Sequence, residues 1–223
     1  MPEKRDAPSK ISDKVRRAVG DSFPAAFGRN DAMKKFLAAA AVAAAALIAS
    51  PSFAALNQGA TAPEFSAKGM LGGNEFTFKL SEALKKGPVV MYFFPAAYTP
   101  GCTAETKLFA DHADEFTKAG ATLIGLTAGA RLADGKMAGA SENLARLAEF
   151  SKEHCRDKFP IAAIDGATID AYNVKLPQRP DWSDRTSYVI AKVGKIVLSY
   201  TDPKADDHVN KTLEAVKGLT HAH

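Results

Sequence analysis

The stretch FFPAAYTPGCTAE, Phe93 to Glu105, gathers the residues of this chain best suited to chemistry. Cys102 follows a proline–glycine turn and opens a run with helical spacing. A helix start leaves backbone N–H groups unpaired and carries about half a positive charge. A thiolate is therefore favoured there, and cysteines so placed ionise below the free value of about 8.5. The chemistry on offer is that of a reactive sulfur nucleophile. Thr99, three residues earlier, has a hydroxyl that can reach toward the sulfur or toward an oxygen bound beside it. Pro95 would shield the pocket behind, and Pro100 and Gly101 permit the tight turn. Cysteine is also among the most often buried residues, as an inert small hydrophobe. Position alone leaves both readings open.

The surrounding elements must hold that cysteine. PVVMYFFP is a continuous apolar, β-rich run, which predicts a strand buried on both faces and stopped at Pro95. Leu108, Phe109, Ala113 and Phe116 follow Cys102 at helical spacing, with Gly120 as the stop. Upstream, residues 56–80 read as an extended lead-in and a hairpin turned at Gly72-Gly73-Asn74, and LSEALKK as a short helix ended by Gly87-Pro88. Downstream come a second buried strand (ATLIGLTAG), an irregular Gly/Ala-rich stretch (GARLADGKMAGAS) and an amphipathic helix (ENLARLAEFSKEHC). A short strand (FPIAAID), a short helix (GATIDAYNV), a hairpin turned at Val193-Gly194 and a final helix (HVNKTLEAVKGL) complete the order. Strands alternating with helices, then a β-hairpin and a helix, predict an α/β thioredoxin-like fold. Its central mixed sheet would carry helices on both faces and an N-terminal β-hairpin extension.

The first quarter of the chain reads differently. Lys34 and Lys35, the apolar run Phe36 to Ala49, and Ser52 and Ala54 at the −3 and −1 positions have the layout of a secretory signal peptide. The run is shorter than the roughly 18 residues of a membrane span. The expected organisation is an N-terminal extension over 1–32 with translation starting at Met33, a signal peptide over 33–54, and one domain over 55–223. The leader carries the whole basic excess of the sequence, so the remainder is electrically balanced. An electrostatic case for nucleic acid or anionic membrane disappears with it. The expected location is outside the cytoplasm, periplasmic in a cell with two membranes. Cys102 and Cys155 are the two cysteines, and in that setting a structural disulfide is the plain alternative.

Pro95-xxx-Thr99-xx-Cys102 after a buried strand resembles the active-site motif of the peroxiredoxins (AhpC/TSA-like). The TPGCTAE stretch is closest to the PrxQ, or bacterioferritin comigratory protein, group. WSDRTSYVIAKVGKIV is similar to the family's arginine-bearing strand start and hairpin, and the likeness runs over most of residues 57–219. The resemblance implies a thiol peroxidase that reduces hydrogen peroxide and organic hydroperoxides. Cys102 would be the peroxidatic nucleophile, Arg185 would hold the thiolate and polarise the peroxide, and Thr99 would bond the attacked oxygen. It implies no metal or flavin, an exported thioredoxin-like or small-thiol reductant, and a monomer or weak dimer.

The chain also departs from the group. Many members place a resolving cysteine five residues after the nucleophile, where Lys107 stands here. Others resolve through the next long helix, which makes Cys155 the candidate partner for a disulfide formed in turnover, after local unfolding. A spectator Cys155 and a one-cysteine mechanism is the other possibility. Glu105 is read only as a first-turn acid, His112, His154 and His208 as surface or interface residues without metal-ligand spacing, and Trp182 as packing. A thioredoxin-type disulfide oxidoreductase would need Cys-x-x-Cys, and the helix reads CTAE. The alternative from another class is an exported redox-sensing or binding module without turnover.

Overall fold

In the computed structural model, residues 54–220 are described; the N-terminal extension and all but the last residue of the signal peptide expected above lie outside them. The chain opens with a hairpin of β1 (Ser66–Leu71) and β2 (Asn74–Lys79). Its turn residues Gly72 and Gly73 have φ of 57° and 77°, a conformation that glycine adopts without steric cost. Helix α1 (Leu80–Lys86) leads to β3 (Val89–Phe93), which is buried along its whole length. The two-residue β4 (Ala96–Ala97) precedes the long helix α2 (Pro100–Lys118). Then follow β5 (Thr122–Thr127), β6 (Gly129–Arg131), β7 (Met137–Gly139) and helix α3 (Leu144–Phe150). The last part holds β8 (Ile161–Ala163), α4 (Gly166–Ala171), β9 (Lys175–Leu176), β10 (Arg179–Ser183), β11 (Thr186–Ile190), β12 (Ile196–Thr201) and α5 (Asp206–Thr220).

Seven strands form the central sheet in the order β12-β11-β3-β5-β8-β1-β2. The pairs β3·β5 and β5·β8 are parallel, and the hairpins at both edges run antiparallel to their neighbours. Because side chains alternate along a strand, β3 feeds two cores at once. Val90 and Tyr92 point to the face covered by Phe109 and Phe116 of α2, Phe150 of α3, and Val209, Leu213 and Val216 of α5. Val89, Met91 and Phe93 point to the other, with Leu80 of α1 and Ile169 of α4. Helices on both faces of a mixed sheet are the architecture the sequence predicts.

Three local readings are corrected. The Gly/Ala-rich stretch read as irregular forms the β6–β7 hairpin, and β6 pairs in parallel with β4 in a separate three-stranded sheet. A second hairpin, β9–β10, was not anticipated. The helix expected to run to Cys155 is regular only to Phe150, and Ser151–Cys155 form one π-helical turn. Two left-handed residues follow it, Arg156 at φ 51° and Asp157 at φ 59°. Wide turns of this kind are frequent at functional sites.

Candidate active site

Cys102 stands in the first turn of α2, with Pro100 at the helix start and Thr99 as the N-terminal flanking residue in extended conformation. The Thr103 amide donates to the Thr99 carbonyl at 2.8 Å and closes that turn. The sulfur is nearly enclosed, since the residue is 2% exposed. Arg185 lies in the short link between β10 and β11, and its Nη2 donates to Cys102 Sγ at 3.4 Å. The same guanidinium donates from Nη1 to Glu105 Oε2 and from Nε to the Pro203 carbonyl at 3.1 Å. Burial opposes its charge, but Glu105 and the Cys102 sulfur outweigh that and hold it protonated. Two partners on the first turns of α2 and a carbonyl after β12 thus fix one planar cation against one sulfur.

The active-site loop is held from behind. Thr99 Oγ1 donates to the Ala96 carbonyl at 2.9 Å. With its proton committed there, the hydroxyl oxygen is left as an acceptor. The Pro95 carbonyl accepts from Thr127 Oγ1 at 3.2 Å. Gly129 lies so close that a β-carbon there would sit 2.8 Å from both the Pro95 carbonyl and the Trp182 ring, so only glycine fits. Trp182 is 6% exposed, stacks under Arg179 at 3.8 Å, and borders a cleft of about 360 Å³ that does not include Cys102. Its role is packing, as expected.

Tyr98, next to Thr99, adopts φ 62°, a strained conformation for a bulky residue. It is held there by contacts to α3 and the π turn. Its hydroxyl donates to Glu153 Oε2 at 3.0 Å, Arg146 lies 3.5 Å over its ring, and Phe150 and His154 meet the ring edge-on. The nucleophile's loop is thereby tied to the segment that carries Cys155. Cys155 itself is fully buried, and neither it nor Cys102 is in a disulfide. Burial pushes the Cys155 thiol far up, which keeps it protonated in this position. Lys107, where many PrxQ proteins have a cysteine, is exposed on α2.

Two residues were misjudged from sequence. Glu105, read only as a first-turn acid, is completely enclosed, and burial pushes its carboxyl up to about 8 against the pull of Arg185. The available signal was its spacing: positions i and i+3 share a helix face, so a residue three after Cys102 faces what Cys102 faces. His208, read as a surface residue, is likewise enclosed. Its Nδ1 lies 2.8 Å from Ser187 Oγ and its Nε2 3.0 Å from the Asp202 carbonyl. The run DDHVN looked solvated because its neighbours are charged. His112 and His154 remain at least partly exposed.

The model of the AhpC/TSA family matches residues 58–199, which include every residue of this constellation except those beyond β12. The chain belongs to the AhpC/TSA family. Chloroplastic peroxiredoxin Q of Populus jackii is 30% identical to it over 169 residues, covering 75% of this chain and 71% of that one. Peroxiredoxin Bcp of Bacillus subtilis (strain 168) is 29% identical over 164 residues, covering 73% and 96%. The crystal structure of peroxidoxin BcpB from Mycobacterium tuberculosis superposes with a TM-score of 0.61 at 27% identity, over 74% of this chain and 98% of that one. The reduced 2-Cys peroxiredoxin of Plasmodium vivax, at 20% identity and a TM-score of 0.60, shares the fold. This peroxiredoxin is a thiol peroxidase by family, with a thioredoxin-like fold.

Proposed function

We propose that this peroxiredoxin reduces hydrogen peroxide and organic hydroperoxides through a sulfenic acid on Cys102. The observation that carries the reading is the Arg185 Nη2 to Cys102 Sγ hydrogen bond at 3.4 Å on a sulfur that is otherwise enclosed. A guanidinium stays charged and offers several fixed donors, so it holds the thiolate and a second oxygen anion in one plane. The Cys102 sulfur attacks one peroxide oxygen, the O–O bond breaks, and the leaving hydroxide or alkoxide takes up a proton. Negative charge moves from sulfur to the leaving oxygen. Donors already aimed at that charge lower the barrier because they need no reorganisation. The Thr99 oxygen accepts from the peroxide hydroxyl and orients it for attack, and Pro95 keeps the loop in place.

Cys155 is the resolving cysteine in this reading. Its thiol condenses with the Cys102 sulfenic acid, giving a disulfide and water, and a dithiol reductant of the thioredoxin type, or a small thiol, restores both thiols. Its burial and the Tyr98 contacts mean that the π turn must open first, since a disulfide needs α-carbons within about 7 Å. The wide turn and its two left-handed followers favour such local opening. The leader pattern supports export, and the electrically balanced remainder supports function without nucleic acid or membrane. The test is dimedone labelling after one equivalent of peroxide. Label on Cys102 is the expected result; none on either cysteine would leave the sensing or binding module as the reading to pursue.

A further inference from the structure

Beneath the thiol lies a buried pair of ionisable groups that the reaction above leaves unused. Glu105 on α2 and His208 on α5 are both fully enclosed. Glu105 Oε2 accepts from Arg185, whereas Oε1 has no hydrogen-bond partner. His208 Nδ1 lies 3.9 Å from the pair's free side, at Oε1. The tautomer follows from the other ring nitrogen. Nε2 faces the Asp202 carbonyl at 3.0 Å, and a carbonyl can only accept, so Nε2 carries the hydrogen. Nδ1 is then the nitrogen that gains or loses a proton. Ser187 Oγ, 2.8 Å from Nδ1, serves as donor or acceptor and suits either state.

Arg185 is the cation in contact with both the sulfur and the carboxylate. Around the pair stand Tyr92 of β3 beside Glu105, and Asp202, Asp207 and the Tyr200 ring around His208. If Cys102 and Glu105 were both anionic, one guanidinium would face two enclosed negative charges. An uncompensated buried charge is strongly disfavoured even after relaxation. Oε1, buried and without a hydrogen-bond partner, is the open position for a compensating proton.

We propose that Glu105 is the acceptor for the Cys102 proton, which sits on Oε1, the oxygen that faces His208 Nδ1 across 3.9 Å, whenever the sulfur is a thiolate. The S–H bond breaks, an O–H bond forms on Glu105, and no electrons leave or enter. Thiol, carboxylate and guanidinium become thiolate, carboxylic acid and guanidinium, so the enclosed cluster keeps its net charge. Burial, which raises the Glu105 carboxyl to about 8 and lowers the affinity of His208 for a proton, puts that proton on oxygen, while the neutral Nδ1 accepts from Ser187 Oγ. His208 is a positioning residue here, since it acts on the sulfur only through Glu105.

The inference rests on Cys102 being the reactive thiol, but its test reads charge and not turnover, so either can fail without the other. Reduced protein carrying Cys155→Ser has one thiol, whose ionisation is followed by thiolate ultraviolet absorbance at neutral pH. Infrared difference spectra are then recorded as Cys102 is alkylated. The expected result is loss of a protonated-carboxyl C=O band as the thiolate disappears, because Arg185 then pairs with an ionised Glu105. That band should shift in D2O, vanish in Glu105→Gln, and move in frequency in His208→Gln. The D2O shift needs no further substitution, so it holds even if Glu105→Gln fails to fold. Thiolate present without any such band, or a band that survives Glu105→Gln in a folded protein, would overturn the proposal.

Discussion

The Arg185 guanidinium touches the Cys102 sulfur at 3.4 Å through Nη2 while Glu105 and the Pro203 carbonyl hold its other two nitrogens. The cation is therefore aimed by bonds that do not involve the sulfur, and it keeps its direction when the sulfur reacts. Such preorganisation is what lets a donor act on charge as it develops.

Arg185→Lys tests the fork directly. Lysine keeps the charge but not three coplanar donors. Peroxidase kcat/KM should fall by about 100-fold, the range seen for loss of one preorganised donor at a developing oxyanion. Activity within about twofold of the wild type would mean that charge alone suffices.

Thr99→Val removes the acceptor while keeping the shape, and Thr99→Ser keeps the acceptor. A hydrogen bond to a charged or reacting group contributes about 1.5–3 kcal/mol, so Val should lose roughly tenfold to a hundredfold in kcat/KM and Ser should lose little. Equal losses in the two would assign Thr99 to packing.

Glu105 also leaves a mark on stability. Its folded-state value of about 8 lies above the unfolded reference of 4.5. Between those values the folded chain holds the proton and the unfolded chain does not, so stability is full below the unfolded value and falls as pH rises through the folded one. In chemical denaturation from pH 5 to 8, the wild type should lose stability relative to Glu105→Gln. Parallel curves would show that the carboxyl is not protonated in the fold.

The Tyr98 contacts set how readily the Cys155 segment opens. Tyr98→Phe keeps the ring and removes the 3.0 Å bond to Glu153. A typical hydrogen bond is worth about 0.5–1.5 kcal/mol net, so opening, and with it disulfide formation after peroxide, should speed up about threefold to tenfold. Stopped-flow mixing with quenched mass analysis measures that rate. No change would mean that the segment opens without disturbing Tyr98.

Much of the frame was legible in sequence because it follows short-range rules. VVMYF reads as a doubly buried strand, and its residues do alternate between two cores. LSEALKK is bounded as helix α1 by the Gly87-Pro88 stop, and Pro100-Gly101 opens α2 at Cys102. Arg185 was reached through a family resemblance, since an arginine 83 residues from the sulfur has no local pattern that marks it. The β6 and β7 strands have three residues each, too few for a period of two to show. Glu105 and His208 were missed for a physical reason: each looks like an ordinary polar helix residue until the other elements close over it. The π turn at Ser151–Cys155 has no sequence mark at all, as it is a choice of hydrogen-bond partner that tertiary packing makes.

The central claim is that Cys102 is oxidised by peroxide and resolved by Cys155. The most direct measurement mixes the fully reduced protein with one equivalent of hydrogen peroxide, counts free thiols, and maps any disulfide by mass spectrometry. The account expects both thiols to be lost with a Cys102–Cys155 bond. Oxidised Cys102 with Cys155 still free would contradict the resolving role, and two intact thiols would contradict the assignment of Cys102 as the nucleophile.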